Sequence, residues 1–388
     1  MRLSIVLVHY RTPDLLARSV EALRRDLALA GLEAPEAEWL VVDNGSDAAG
    51  RERIESLGVR RLDPGGNVGY AAGVNLGVAR STADRLLVLN PDVLVRPGCV
   101  GALLAALGAD AGSTAVVGPR FFWDSGGRLL LPPAERRSRR AEAAAVLARR
   151  HPRAARRARA AWRRHARRHW SAREPLASHA LSGALLAFHR AAWQRVGPFD
   201  EGFRLYFEEV EWLERVRRAG GAARYVPGAE AVHLYDQSAR AEPAARAWFE
   251  ESARRFRRLR YGAASAAALE ALERRLPAGP GPAPGLRELE RGSLDLAGLC
   301  GSGVRPLWIE VSPRPEGFPA AAERWTGAAA GGWRLPEEIA RRAGVGPWYL
   351  TVTDAAGREL ARAKLPAGEP APAEVEAPQV AAEGVESR

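Results

Sequence analysis

Three apolar runs that each stop abruptly in polar residues constrain this chain more than any other feature. The clearest is Leu86, Leu87, Val88 and Leu89, followed at once by Asn90, Pro91 and Asp92. An apolar run without alternation reads as a strand buried on both faces. Pro91 has no amide hydrogen to continue a ladder, so Asp92 is left at the strand's carboxyl end, where open α/β sheets bind ligands. Ile5 to Val8 ends in the same way in His9 and Tyr10, and Leu40 to Val42 ends in Asp43, Asn44, Gly45 and Ser46. One such acid or amide is as readily a turn or helix cap. Three in register on one sheet edge favour a nucleotide site.

Strand-like and helix-like stretches alternate to about residue 130, with helical segments at Leu15 to Leu29 and Val100 to Leu107. That alternation predicts βαβ units, hence an α/β fold with a mostly parallel sheet and helices on both faces. Further on, Leu181 to Phe188 is a compact apolar segment, Glu208 to Ala219 reads as a helix, and residues 242 to 275 read as one long helix rich in Ala, Glu and Arg. Pro277 to Gly285 has the composition of a linker. Beyond it, Leu307 to Val311, Trp348 to Thr353 and Arg358 to Ala363, with a turn at Asp354 to Gly357, predict a small β-rich unit. The expected divisions are 1–262, 263–285 for the helix end and linker, 286–366 for the β-rich domain, and 367–388 as a disordered tail poor in aromatics.

At 388 residues with 47% hydrophobic content, the chain has ample material for such cores. Its two cysteines, Cys99 and Cys300, lie too far apart to suggest a disulfide framework. The start of the chain shows no leader pattern, and no apolar run approaches the roughly 18 residues of a membrane span. A cytoplasmic protein is expected. The net charge of +11 is local. Residues 135–173 hold 15 Arg and 2 Glu, a charge of +13, which leaves −2 on everything else. Arg149, Arg150, Arg153, Arg156, Arg157, Arg163, Arg164, Arg167 and Arg168 recur at helical spacing, with Trp162 and Trp170 among them. Such an arm can grip phosphates, lie on an anionic membrane with its tryptophans inserted, or stand as a solvated helix.

The residues suited to chemistry follow the strand ends. Gly65, Gly66, Asn67, Val68, Gly69 and Tyr70, with Gly73, Asn75 and Gly77 after them, form a glycine-rich stretch where backbone can approach a ligand closely. A dinucleotide fingerprint would sit in the first strand-to-helix turn, and His9 to Pro13 contains no glycine. Asp92 is a candidate ligand for Mg²⁺ or Mn²⁺, hard cations that take carboxylate and diphosphate oxygens. Asn90, two residues earlier, faces the same side of an extended chain. Phe199 to Phe203 and Tyr206 to Glu211 interleave aromatics and acids, which suits a cleft that stacks a sugar and places a base. The plain alternative is an acidic helix start. His233 follows Ala231 and Val232 at a further strand end, where it serves either as a hydrogen bonder or as a metal ligand.

In chain order, Val6 to Tyr10, Val41 to Ser46, Gly66 to Gly77, Leu89 to Asp92, Gly118 to Arg120, Leu181 to Ala184, Gly197 to Arg215 and His233 resemble the family 2 glycosyltransferases of the GT-A fold, in their rhamnosyltransferase-like branch. The resemblance covers roughly residues 1–262. It implies an inverting hexosyl transfer, with rhamnose as the branch's sugar, from a nucleotide-diphospho-sugar to a glycan or lipid-linked acceptor in cell-envelope polysaccharide synthesis. It implies that His9, Asp43, Asn67, Gly69, Asn75, Asn90 and Asp92 line the nucleotide-sugar site, and that Asp92 and His233 hold Mg²⁺ or Mn²⁺. Ser182, Gly183 and Glu208 would meet the acceptor. Glu209 would be the general base beside Glu208, at a position where the family usually carries Asp. The basic arm would then rest on an anionic membrane surface, placing the enzyme on the inner face of the membrane, with nucleic acid a weaker fit. A glycosyltransferase-like protein without catalysis is the other reading that the Glu at 209 leaves open.

Overall fold

The computed structural model describes residues 2–32, 36–108, 114–234, 244–276, 286–288, 293–294, 306–326, 332–342 and 347–365. The linker at 277–285, the tail at 367–388 and Cys300 lie outside them.

Apolar runs and helices alternate as the sequence predicts. The first half contains β1 (Leu3–His9), α1 (Pro13–Leu29), β2 (Ala37–Asp43), α2 (Ala48–Glu55), β3 (Arg60–Leu62), α3 (Tyr70–Arg80), β4 (Arg85–Leu89), β5 (Val93–Val95), α4 (Cys99–Gly108) and β6 (Thr114–Phe122). Two helices of the basic arm follow, α5 (Arg139–Ala148) and α6 (Pro152–Trp170). The chain then forms β7 (Leu176–Ser178), β8 (Leu185–His189), α7 (Arg190–Val196), α8 (Glu208–Arg218) and β9 (Ala222–His233). Among the described residues these strands form one sheet, in the order β3-β2-β1-β4-β8-β6-β9-β5 with β7 beside β9.

The sheet has two characters. β3, β2, β1 and β4 pair in parallel, with His9 opposite Asp43, so all three predicted strand ends reach one edge. From β8 onward the pairing is mixed: β8 is antiparallel to both β4 and β6, and β6 is parallel to β9. β1 is buried along its whole length, as a strand covered by helices on both faces must be. Gly73 and Gly77 prove to serve this packing rather than a ligand. A Cβ at Gly73 would stand 2.7 Å from Val8 Cγ1, and one at Gly77 would collide with Val6, so glycine lets α3 lie directly on β1.

Residues 244–276 form two helices, α9 (Ala245–Tyr261) and α10 (Ala263–Arg275), in place of the expected single one. Gly262 between them has φ +81°, a left-handed conformation that ends a helix. The remaining described segments are β10 (Arg287–Glu288), β11 (Ser293–Leu294), β12 (Leu307–Ser312), β13 (Ala321–Trp325), β14 (Trp333–Arg334), α11 (Glu337–Arg342), β15 (Trp348–Thr353) and β16 (Glu359–Leu365). The sheet β10-β16-β15-β12-β13 is the expected β-rich unit, antiparallel except at β10–β16.

The arm departs most from expectation. α6 lies against the β-rich unit, and its tryptophans are not available to a membrane. Trp162 and Trp170 are buried with Phe122, Val232 and Trp308 in one apolar cluster. Arg163 makes a two-point ion pair with Glu310 at 2.5 and 2.8 Å, and Arg159 pairs in the same way with Glu359 at 2.5 and 2.8 Å. The tryptophans recur on the face that meets the core, while Arg153, Arg156, Arg157, Arg164 and Arg168 remain exposed on the other. α6 is therefore amphipathic in an unusual sense, with charge on both sides and, among the described residues, ion-pair partners on only one.

Candidate active site

The site forms where the carboxyl ends of β1, β2 and β4 meet the loop before α3, the Ser182–Gly183 turn and the start of α8. His9 has no exposed surface. Its Nε2 accepts from the Thr12 amide at 2.9 Å, so the hydrogen sits on Nδ1, which lies 3.6 Å from Asp43 Oδ1. His9 thus aims Asp43 and does not itself line the pocket. Ser46 donates to the same Asp43 oxygen through Oγ at 2.6 Å and through its amide at 3.0 Å. Burial pushes the Asp43 carboxyl up, but the hydrogen bonds from His9 and Ser46 outweigh it and hold the group well below the usual carboxylate range. Beside it an open cleft of about 510 Å³ is lined by Arg11, Pro13, Gly45, Ser46, Asp47 and Gly50.

Asn44, the next residue, joins two motifs. Its Nδ2 donates to the Gly69 carbonyl at 3.1 Å, which anchors the glycine-rich loop to the end of β2. Gly69 has φ +86°, and a Cβ there would fall 2.7 Å from the Arg204 carbonyl oxygen, so no other residue fits. A pocket of about 90 Å³ opens between Asn67, Gly69, Tyr70, Asn90, Arg204 and Trp248. The Arg204 guanidinium lies 4.4 Å from the Trp248 ring centroid and donates to the Asn67 carbonyl at 3.2 Å. Asn75 lies farther along α3, where its side chain ties the Phe199 backbone at 2.9 and 3.0 Å and meets Glu201 at 2.8 Å. It braces the loop ahead of α8 rather than the pocket.

At the end of β4, Pro91 turns the chain directly into β5, whose Val93 pairs with His233. That pairing sets Asp92 Oδ1 3.4 Å from His233 Nε2, although 141 positions separate the two residues. Asn90 Oδ1 is buried close by without a hydrogen-bond partner. No third His, Cys, Asp or Glu joins this pair among the described residues. Two donors from the protein leave room for phosphate oxygens, which suits a hard divalent cation bound together with a diphosphate.

The two glutamates open α8 after Tyr206 and Phe207, whose φ values of +66° and +73° are uncommon for aromatic residues. Backbone strain of this kind persists where the surroundings enforce it, commonly at functional sites. Oε2 of Glu208 and Oε2 of Glu209 are both buried without a hydrogen-bond partner. Burial drives the Glu208 carboxyl well above its ordinary range, and the neighbouring Glu209 adds to the effect. Burial raises Glu209 too, but the amides of Glu209, Val210 and Gly183, with the Arg137 charge, oppose it. Glu208 is therefore the better holder of a proton and Glu209 the better carboxylate. Gly183 packs directly on Glu209, since a Cβ there would stand 3.0 Å from its Cγ. Ser182 Oγ accepts from the Ala184 amide at 3.3 Å and holds the turn.

Asn67, Gly69 and Asn90 thus share one pocket with Tyr70, and Tyr70 in turn bonds to Gly183 and feels the charges of Glu208, Glu209 and Asp92; Asp92 stands beside His233, and Asp43 beside His9. Sequence reasoning missed Tyr70, Arg204 and Trp248. The Tyr70 hydroxyl donates to the Gly183 carbonyl at 3.0 Å, and burial together with Glu208, Glu209 and Asp92 keeps it protonated. Tyr70 lay within a motif already noticed. Arg204 and Trp248 carry no local signal, because only the fold brings them to the glycine loop.

The Glycosyl transferase family 2 profile matches residues 4–166. The chain is 32% identical over 220 residues to the N-acetylglucosaminyl-diphospho-decaprenol L-rhamnosyltransferase of Mycobacterium tuberculosis, spanning 53% of this chain and 69% of that protein. Among solved structures it is similar to GalNAc-T7 with UDP, GalNAc and Mn²⁺, at TM-score 0.43 and 17% identity over 61% of this chain and 44% of that one. It is also similar to the mannosyltransferase PcManGT from Pyrobaculum calidifontis with GDP-Man and Mn²⁺, at TM-score 0.42 and 14% identity over 72% and 76% of the two chains. On the family profile and the mycobacterial relative, the chain belongs to glycosyl transferase family 2, in the rhamnosyltransferase-like branch, and is a glycosyltransferase.

Proposed function

We propose that this glycosyltransferase moves a sugar, rhamnose by analogy with its relative, from a nucleotide-diphospho-sugar to a lipid-linked acceptor, with inversion at the anomeric carbon. The observation that carries this reading is the pair of carboxylates at the start of α8, each with a buried oxygen that has no hydrogen-bond partner among the described residues, close to the Tyr70 hydroxyl that the Asp92 charge also reaches. Asp43 sits beside the base, fixed by His9 and Ser46. Asn67, Gly69 and Asn90 line the donor, and Arg204 with Trp248 covers it. Glu209 accepts the proton of the acceptor hydroxyl as that oxygen attacks, while Glu208, holding a proton, positions the acceptor. Tyr70 orients the Gly183 carbonyl on the acceptor side. Asp92 and His233 would hold Mg²⁺ or Mn²⁺, which when bound neutralises the departing nucleoside diphosphate.

The exposed arginines of α6 suit an anionic membrane surface, where a lipid-linked acceptor resides. No helix among the described residues is long and apolar enough to cross a membrane. The test is transfer from a panel of UDP-, GDP- and dTDP-sugars to N-acetylglucosaminyl diphosphate on a short polyprenyl chain, with and without Mn²⁺. Metal-dependent transfer that Asp92→Asn abolishes, with the thermal transition retained, is the expected result. Full activity in Asp92→Asn, or no transfer from any donor, would overturn the assignment.

A further inference from the structure

The segment between α7 and α8, residues 197–207, has no helix or strand of its own, yet Glu208 and Glu209 follow directly at its end. Side chains carried by loops act only where a rigid scaffold fixes them, so the place of the two carboxylates depends on what holds this segment. Its ends are tied by near neighbours. Trp212 Nε1, on α8 itself, donates to the Gly197 carbonyl at 3.0 Å, and the Arg204 carbonyl accepts from the Tyr70 amide at 3.1 Å.

Between the ends, one side chain holds Phe199 at both of its backbone polar groups. Asn75 Oδ1 accepts from the Phe199 amide at 2.9 Å, and Asn75 Nδ2 donates to the Phe199 carbonyl at 3.0 Å. A carboxamide suits this task because it carries an acceptor and a donor on one planar group. The same Nδ2 also meets Glu201 Oε1 at 2.8 Å. Asn75 thus pairs with Phe199 much as a neighbouring strand would.

Asn75 is itself well anchored. Gly73 and Gly77 let α3 lie directly on β1. Asn75 is two residues from each, which in a helix of about 3.6 residues per turn puts it on the opposite side. α3 begins at Tyr70, immediately after the Asn67 to Gly69 loop that lines the donor pocket. One helix locked to the sheet therefore carries the donor loop at its head and grips the carboxylate-bearing segment from its middle. A second grip comes from α9, where Arg255 meets Asp200 at 2.7 Å. That pair is partly exposed, and it refers the segment to α9 rather than to the donor loop.

We propose that Asn75 is a positioning residue for sugar transfer: by holding Phe199 it sets the distance between the donor pocket and the carboxylates at the start of α8. The proposal rests on the base role given to Glu209 and adds to it what places that base.

The test uses the full chain, a UDP-, GDP- or dTDP-sugar that it transfers, and N-acetylglucosaminyl diphosphate on a short polyprenyl chain. Asn75→Ala should lower kcat about 10- to 100-fold, the scale of a roughly 1 Å misplacement, while donor KM stays within about twofold. Asn75→Asp is nearly isosteric, keeps the bond from the Phe199 amide and loses those that Nδ2 donates, and it should also be slow. Hydrogen exchange gives a second readout, free of activity: amides of residues 199–212 should exchange faster in both variants while those of α3 keep their wild-type rates. A donor KM raised about tenfold at unchanged kcat would return Asn75 to the donor pocket and overturn the proposal. Wild-type kcat with a lowered thermal transition would show a bond that only stabilises the fold, and would overturn it as well. So would unchanged exchange across residues 199–212. A slow Asn75→Ala beside a Glu209→Gln of wild-type rate would instead overturn the base assignment on which the proposal rests.

Discussion

Two pairs of wholly or partly buried glutamates in this molecule are treated in opposite ways. Glu310 and Glu359, at the junction of α6 with the β-rich unit, each meet an arginine at two points. Burial pushes Glu359 up, but Arg159 and Arg163 outweigh it and hold the carboxyl below its ordinary range. Glu208 and Glu209, at the start of α8, each keep a buried oxygen without a partner, and both are raised. Glu211 and Glu214 on the same helix meet arginines, so the lack of an ion pair at Glu208 and Glu209 among the described residues is a matter of placement. A buried charge with a fitted partner makes a joint, whereas a buried carboxylate without one is poised to take a proton. The first set ties two units together, and the second is the one we propose does chemistry.

The largest effect should come from abolishing the poised set. Glu209→Gln should lower turnover by ~10²–10⁴-fold, the usual contribution of general base catalysis, with donor affinity kept. Steady-state kinetics at fixed donor and acceptor decide it, and a Glu208→Gln enzyme that is dead while Glu209→Gln is active would exchange the two roles. In the wild type, kcat should fall as pH drops through the raised Glu209 value, so its acid limb should lie above the ordinary carboxylate range.

The joint should respond in stability rather than rate. Arg163→Met leaves Glu310 buried and uncompensated, at a cost of about 3–5 kcal/mol. Arg163→Met with Glu310→Leu removes both charges and should recover most of that loss. Urea denaturation of the wild type and the two variants measures both, and a double mutant as unstable as the single one would show that packing, not charge pairing, dominates at this contact.

Legibility in the sequence divided along the same line. Unalternating apolar runs and their polar ends placed β1, β2 and β4 and the edge where Asp43 and Asp92 stand, because a strand buried on both faces has a strong local signature. Asp92 and His233 were each visible, but their closeness depends on β5 returning against β9, which no local pattern announces. The arm was misread because charge periodicity is the same whether arginines meet water or glutamates. Arg159 and Arg163 look like Arg153 and Arg157 in the sequence, and only Glu310 and Glu359, some 150 to 200 positions later, separate them.

A smaller effect sharpens the view of the poised set. The Glu208 carboxyl is raised above its unfolded value, so the native state keeps a proton that the unfolded chain releases. Wild-type stability must therefore fall as pH rises from about 4 through the native value. Glu208→Gln has no such proton to lose. Its Tm should match the wild type near pH 4 and exceed it at pH 8 by an amount equivalent to about 1–2 kcal/mol, the cost of a buried unsatisfied group. A Tm difference that is constant with pH would show that Glu208 is not held protonated.

The smallest effect should fall on the far face of the arm, where the comparison can be broken within one helix. Arg157 is exposed on α6, a few residues from the buried Arg159 and Arg163. It meets no carboxylate among the described residues, so Arg157→Ala should change stability by less than about 0.5 kcal/mol, as surface substitutions do. Its charge still acts at a distance. If this face rests on an anionic membrane, each arginine near the surface contributes roughly 1 kcal/mol, a several-fold change in partitioning. Co-sedimentation with phosphatidylserine-containing vesicles should weaken by that factor in Arg157→Ala, and the difference should vanish in about 1 M salt, where the Debye length shrinks to about 3 Å. Unchanged partitioning would leave the outer face of α6 with no role in membrane attachment. The two faces of one helix would then differ only in what they touch, with the inner face fastening the β-rich unit and the outer face adding charge to water.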